Sequence, residues 1–348
     1  MSLPPGLGPQ CVGQRVVVRR LLRGRLGPSG GPAMTDLLGV MESWTDQTTV
    51  VRAEDGTRTE IAVADLVSGK PVPPRPSPRL RVTPEDACRR SNASWPAVHT
   101  APLGGWLLRA SGGFTARANS VMATGDPGVP FTDALEQVRR FYAEHGLPAW
   151  AQVVLDTPTA QGFDEAGWVT ARPDNDHCVL QIGSVAQAAR AVRRLLPGST
   201  PPVAVADRAT AAWLANDERA RTHREDALAV LEGPEHVAFV SVGDPDGPVL
   251  AKGRVACSDA SSDWSRDWVG ITDVWVHPDH RRRGLASVVL DELLGWAAER
   301  GASTVYLQVR AENAPALGLY AAVGLRVHHA YRYLTAAPQE QVTVSAGA

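Results

Sequence analysis

Three arginines, a glycine and an alanine stand at the head of an apolar helix pattern, in Asp279-His280-Arg281-Arg282-Arg283-Gly284-Leu285-Ala286. Before them, the β-rich run Trp268–Val276 ends at His277-Pro278. After them, Leu285, Val288, Val289, Leu293 and Ala297 recur at helical spacing and predict an amphipathic helix over 287–300. A strand, a basic glycine turn and a helix N-terminus together make an anion cradle. The first-turn N–H groups lack intrahelical partners, the macrodipole favours negative charge, and Gly284 lets a phosphate approach the backbone. The turn lacks the GK[ST] ending of a Walker loop and the GxGxxG of a dinucleotide fingerprint.

A second segment follows the strand Val305–Val309. It reads Asn313-Ala314-Pro315-Ala316-Leu317-Gly318-Leu319-Tyr320 and closes at Gly324-Leu325. The order R-x-x-G-x-A after a strand ending V-x-V resembles the acetyl-CoA pyrophosphate loop of the GCN5-related N-acetyltransferases, [Q/R]-x-x-G-x-[G/A]. Arg281, Gly284 and Ala286 occupy its defined positions. Residues 313–325 resemble the family's N-x-x-A-x-x-[L]-Y-x-x-x-G-F signature, with Ala316 three past Asn313 and Leu325 in place of phenylalanine. The helix-like 209–232 and the strands 237–242 and 249–256 supply the preceding elements, so the resemblance spans 203–334.

The resemblance implies an acetyl-CoA-dependent N-acetyltransferase (an acyltransferase) that works by direct attack, with no covalent enzyme intermediate and no metal. It implies that the backbone of Val274 and Val276 pairs with pantetheine amides. The N–H groups of Arg282, Arg283, Gly284, Leu285 and Ala286 would hold the pyrophosphate, with arginine charge assisting. Asn313 would contact the cofactor near its pantetheine, and Tyr320 would protonate the departing thiolate. Attack by a neutral amine also needs a base within hydrogen-bond reach. Asp273, on the strand beside the thioester, is the candidate; a structural carboxylate turned away from the cleft is the alternative. The implied acceptor is a small amine or amino acid. The whole layout is similar to actinobacterial proteins classed as N-acetylglutamate synthases, which makes glutamate a candidate and places the chain in amino-acid metabolism. The tandem layout also resembles mycothiol synthase, which lacks the leading β unit. A non-catalytic acetyl-CoA sensor is the alternative of a different class, and Tyr320 argues against it.

The elements that would position this chemistry repeat. A helix-like stretch ending at Gly146, the strand 150–155 and a helix closing at Gly167 are echoed by a helix ending at Gly301, the strand 305–309 and a helix closing at Gly324. Each closing glycine has an aromatic four residues before it, Phe163 and Tyr320. The fold expected is therefore α/β or α+β: a mixed sheet flanked by helices, in two copies over 80–200 and 201–336. The first copy is degenerate. Phe163 lacks the hydroxyl of Tyr320, and Gly125-Asp126-Pro127-Gly128-Val129-Pro130 is acidic and proline-interrupted where the cradle should be basic. Arg109, Arg117 and Asn119 could reach a carboxylate-bearing substrate, with ordinary surface arginines the commoner reading.

Ahead of these, residues 12–72 hold short β runs at 16–18, 37–41, 48–51 and 61–63 with a Glu54-Asp55-Gly56 turn, suggesting a small SH3-like barrel. Its arginines 15, 19, 20, 23 and 25 have no aromatic platform among them and read as a solvated strand face. Prolines at 71, 73, 74, 76 and 78 predict an extended linker over 73–79, and 337–348 a loose tail. The chain of 348 residues carries 35 Lys+Arg against 37 Asp+Glu, a charge that argues against a dedicated nucleic-acid binder. No apolar run approaches the ~18 residues of a membrane helix, so a cytoplasmic protein is expected, with a homodimer left open. Cys11, Cys88, Cys178 and Cys257 are too scattered for a disulfide framework or zinc ribbon. The pairs His277/His280 and His328/His329 lack further ligands, so no metal site is expected.

Overall fold

The computed structural model describes residues 6–27, 30–53, 55–72, 78–172, 174, 177–245, 247–257 and 267–337. Two compact units divide at Ser77/Pro78. The proline-rich residues 73–77, Glu54 of the expected turn and the tail from 338 lie outside the described residues.

The first unit is a sheet of strands β1 (Arg15–Leu26), β2 (Pro32–Trp44), β3 (Thr48–Ala53), β4 (Arg58–Ala62) and β5 (Leu66–Pro71), in the order β4-β3-β2-β1-β5. Strand periodicity of two puts Val16, Val18, Met41, Val51 and Ile61 into one small core. Bulges in β1 and β2 bend the strands. Where a small barrel is expected, the described residues form a five-stranded antiparallel sheet in which no pairing of β4 with β5 is seen. Two of its arginines are already matched: Arg19 pairs with Asp36 and Arg23 with Asp65, both at 2.8 Å.

The second unit opens with α1 (Pro84–Ala93), β6 (His99–Leu103), β7 (Trp106–Ala110), β8 (Val121–Met122), α2 (Phe131–Glu144) and β9 (Trp150–Val154). There follow α3 (Pro158–Glu165), β10 (Trp168–Thr170), β11 (Cys178–Ser184), α4 (Val185–Val192) and β12 (Val203–Ala206). Three short helices come next, α5 (Ala211–Leu214), α6 (Glu218–Thr222) and α7 (Arg224–Glu232). They replace the single helix expected over 209–232. The carboxylate of Asp217 caps a new start by accepting from Arg219 N and Ala220 N, and His223 leaves helical geometry between α6 and α7. The chain ends in β13 (His236–Val242), β14 (Ala251–Cys257), β15 (Trp268–Val276), α8 (Leu285–Glu299), β16 (Thr304–Arg310), α9 (Ala314–Ala322) and β17 (Arg326–Ala336).

One mixed sheet runs β12-β13-β14-β15-β16-β11-β17-β9-β8-β7-β6, with β10 also on β17. Residues 80–200 and 201–336, expected as separate copies, thus share a sheet. Strand β11 of the earlier segment lies between β16 and β17 of the later one. β17 serves both, giving residues 326–331 to β11 and 331–335 to β9. All strand pairs are antiparallel except β8/β9 and β15/β16. Each parallel pair is joined by a helix, α2 or α8, because a parallel return needs a crossover. The largest core packs α8 and α4 against β13–β16, with Val289, Leu293 and Ala297 fully buried.

Candidate active site

A bulge opens the sheet where the candidate residues lie. β15 pairs with β16 from Trp268↔Thr304 to Ile271↔Leu307 and no further. β15 nevertheless stays on β14 as far as Val276, and β16 stays on β11 as far as Arg310. The parallel strands therefore part after Ile271 and Leu307. The cause is local: between the pairs Arg254↔Thr272 and Lys252↔Trp275, β14 has one residue, Gly253, and β15 has two, Asp273 and Val274. Asp273 takes the extra position in a left-handed conformation, φ 53°. Val274 and Val276 pack their side chains against the α8 core. The edge of 273–276 that faces β16 has no strand partner.

The gap leads to the basic turn. His277 N bonds Leu250 O at 2.8 Å, and Arg281 N bonds Pro278 O at 3.3 Å. Arg282 and Gly284 then take positive φ, 60° and 80°. Among the described residues, nothing accepts a hydrogen bond from the amides of Arg282, Arg283, Gly284, Leu285 or Ala286. Arg281, Arg282 and Arg283 are exposed, Gly284 and Ala286 half-buried, and Leu285 buried. Five unpaired amides thus stand at the positive end of a 15-residue helix, the arrangement that binds a diphosphate.

Asn313 is the N-cap of α9, its side-chain oxygen accepting from Ala316 N at 3.2 Å. That bond is made by the backbone N–H of residue 316, so it accounts for the asparagine at the helix start and not for the alanine three residues on. It leaves the amide NH₂ of an exposed side chain free to donate. Tyr320 sits where α9 stops: Leu325 N bonds Tyr320 O at 2.9 Å and Gly324 N bonds Ala321 O at 3.0 Å, with Gly324 at φ 90°. This cap fixes the aromatic-to-glycine spacing. It does not require a hydroxyl, because Phe163 fills the matching place on α3 and is fully buried. The Tyr320 hydroxyl has no hydrogen bond among the described residues, and burial pushes it up to about 12, so it keeps its proton at neutral pH.

Asp273 is half-buried, with Oδ2 inaccessible and unbonded. Cations converge on it: Lys252, Arg254 and Arg117 all feel its charge. Lys252 Nζ donates to Trp213 O at 2.7 Å and lies 4.0 Å from that ring; burial lowers its pKa. Arg254 donates to Leu231 O at 2.8 Å, Ser94 O at 3.1 Å and Thr272 Oγ1 at 3.3 Å; burial pushes it down to about 10. Neither cation was singled out in the sequence. The available signal was two charged residues, two apart, in the otherwise apolar and uncharged run 251–257.

In the earlier segment the matching loop is self-satisfied. Asp126 Oδ1 accepts from Gly128 N at 2.8 Å, Asp126 O accepts from Gly105 N, and a β-carbon on Gly104 would strike Pro127. Trp106, Phe131, Phe163 and Trp168 pack as an aromatic cluster behind it. Arg109 is spent inside the fold on Ser120 O, Ser120 Oγ, Asn92 Oδ1 and Gln152 Oε1. Asn119 holds its own loop through Ser111, Gly113, Phe114 and Thr115.

Sequence comparisons place this sheet and gap in the GCN5-related acetyltransferase class. The family profile for the C-terminal region of probable histone acetyltransferase Rv0428c matches residues 85–334, and a profile for the N-terminal Sm-like domain of Rv0428c matches 10–70. The chain belongs to this family. The probable histone acetyltransferase Rv0428c of Mycobacterium tuberculosis is 30% identical over 339 residues, 95% of this chain and 96% of its own. YobR of Bacillus subtilis, described as an uncharacterized N-acetyltransferase, is 28% identical over 251 residues, 69% of this chain and 95% of its own. A solved Staphylococcus epidermidis protein of unknown function shares the fold at a TM-score of 0.50 and 9% identity, covering 74% of this chain and 99% of that one. The expected SH3-like unit is thus matched as Sm-like. Among the described residues no helix is long and apolar enough to cross a membrane.

Proposed function

We propose that this chain is an acetyl-CoA-dependent N-acetyltransferase built from two related segments, of which only the second holds the cofactor. The observation that carries the reading is the run of unpaired amides at 282–286, at the mouth of the gap between β15 and β16. The fit is chemical. A diphosphate needs convergent N–H donors and positive potential, and an extended pantetheine needs an unpaired strand edge. Acetyl-CoA supplies an electrophilic thioester carbonyl; the remaining work belongs to the chain.

Val274 and Val276 present their main chain to the pantetheine, and Asn313 offers its amide beside it. Asp273 takes the proton that the acceptor amine loses as its nitrogen bonds to the acetyl carbon. Tyr320 gives its proton to the sulfur as the C–S bond breaks. The cations around Asp273 disfavour an ammonium ion and so favour the neutral, nucleophilic amine. Glutamate or another small amino compound is the acceptor this reading favours.

The test is CoA release by the purified chain on addition of acetyl-CoA and a panel of amines, glutamate included. Release with at least one amine supports the enzyme. Tight acetyl-CoA binding without turnover across the panel would make the chain a sensor instead.

A further inference from the structure

Arg117 differs from Arg109 and Asn119, its companions in the sequence, in having its polar head uncommitted. Among the described residues no group accepts a hydrogen bond from its guanidinium, and its Nε is inaccessible to solvent and unbonded. Its Cζ lies 4.9 Å from the centre of the Trp95 ring, and the Arg254 Cζ lies 5.2 Å from the same ring. The groups facing it electrostatically are Tyr331, Tyr333, Tyr306 and Asp273. Nε is thus a buried donor without an acceptor, and the terminal nitrogens have no protein acceptor among the described residues, so the fork of donors is left for an arriving anion.

The loop that carries Arg117 is built to hold it still. Asn119 Oδ1 accepts from Ser111 N at 2.7 Å and Gly113 N at 3.0 Å, and its Nδ2 donates to Phe114 O at 2.8 Å and Thr115 O at 2.9 Å. Thr115 takes a left-handed φ of 61° and accepts from Trp95 Nε1 at 3.2 Å. On the far side, Gly112 packs against Asp226 and Gly113 against His223, so the loop from the earlier segment is seated on α7 of the later one. Charge points the same way. Around Asp273 stand Arg117, Arg254 and Lys252, three cations to one carboxylate. Asp217, which also faces Lys252, is paired with Arg219 at 3.3 Å.

We propose that Arg117 binds the carboxylate of the acceptor while Asp273 receives the proton of its amine, so that the acceptor is a small amino acid and not a lysine side chain of a basic protein segment. This deepens the acetyltransferase reading and rests on it. The segment without a cofactor thereby supplies the specificity residue for chemistry done on the other segment. A fork of N–H donors beside a carboxylate base matches a group that carries an anion and an amine a few bonds apart. A cationic peptide would bring further positive charge to a site that already has an excess.

The experiment uses the full chain and three proteins: wild type, Arg117→Met and Arg117→Lys. Each is given acetyl-CoA with free L-amino acids, glutamate among them, with their carboxamides, and with a lysine-rich histone-tail peptide; CoA release is followed. In parallel, calorimetry with CoA present measures binding of N-acetyl-L-glutamate and of other N-acetyl amino acids, each beside its carboxamide. Acetyl-CoA affinity and circular dichroism establish that each variant is folded. The wild type should prefer free acids by roughly tenfold to a hundredfold, the worth of one charged hydrogen-bonded contact. Arg117→Met should erase that preference through KM with kcat little changed, and Arg117→Lys should keep part of it. Equal use of acids and carboxamides, a preference that survives in Arg117→Met, or better use of the peptide would each overturn the proposal. Were no amine turned over, the enzyme reading would fall by itself. N-acetyl amino acid binding that Arg117→Met abolishes would still support the carboxylate site, and absence of that binding would sink it.

Discussion

The ring of Pro197 closes on the α-carbon of Gly284 so tightly that a β-carbon there would stand 2.9 Å from the proline Cδ. Gly284 also has φ 80°, so two independent demands fall on one position. Gly284→Ala should therefore cost about 1–2 kcal/mol in backbone strain, with displacement of the turn or of Pro197 added to it. The displaced amides would no longer converge, and acetyl-CoA affinity should fall by more than about tenfold. Calorimetric titration with acetyl-CoA beside a thermal melt checks this. Unchanged affinity in a folded variant would remove these amides from the diphosphate site.

The Tyr320 hydroxyl is surplus to packing, since Phe163 does the same packing on α3 without one. Tyr320→Phe should leave the melting temperature and the acetyl-CoA dissociation constant within error. It should lower kcat by roughly a hundredfold to ten-thousandfold, the usual worth of a positioned general acid. Steady-state kinetics with the best acceptor, beside calorimetry, separate the two effects. A kcat equal to that of the wild type would mean that water protonates the leaving thiolate.

Much of this site could be read along the chain, because its signals are local. The turn at 281–286 lies between a strand and a helix, and the Asn313 cap and the Gly324 stop occur within a dozen residues. Non-local features were hidden. β11 reads as a strand, yet nothing in Cys178–Ser184 says that its neighbours are β16 and β17, since pairing partners are a property of the closed sheet. The bulge at Asp273 depends on register against β14, which alternation of residue types does not encode once both strands are buried. Arg117, Arg109 and Asn119 looked alike in sequence, and only the surrounding acceptors separate the two spent on the fold from the one left over.

Arg254 ties its strand β14 to two other segments through main-chain oxygens, Leu231 O at the end of α7 and Ser94 O after α1. Arg254→Met would leave both carbonyls buried without a donor. The expected loss is on the order of 3 kcal/mol, the range for one partner removed from a buried charged network. Urea unfolding at neutral pH should show a lower midpoint with an unchanged slope. A midpoint like that of the wild type would mean that water replaces the guanidinium.

A directional proton chain crosses the sheet junction near β17, and it should set the acid limit of the fold. His328 Nε2 lies 2.6 Å from Val82 O, which can only accept, so this nitrogen carries the hydrogen. Neutral His328 then accepts at Nδ1, and His329 must donate to it from Nδ1 across 2.8 Å. His329 Nε2 is left as an acceptor, and the buried Cys88 thiol donates to it at 3.5 Å. In this arrangement every member is satisfied with both rings neutral, and protonation of His329 would leave the Cys88 thiol facing a second donor. Burial and the neighbouring His328 push His329 down to about 4, and burial lowers His328 as well. A histidine whose pKa is depressed on folding adds stability that is complete above the unfolded value, ~6.5, and is lost as pH falls toward the folded value. For His329 that window runs from about 6.5 down to about 4 and amounts to on the order of 3 kcal/mol. Melting temperature should therefore drop steeply between pH 6.5 and 4.5. In His329→Phe it should start lower at pH 7.5 but decline less over the same interval. Parallel declines in the two proteins would show that the acid sensitivity arises elsewhere.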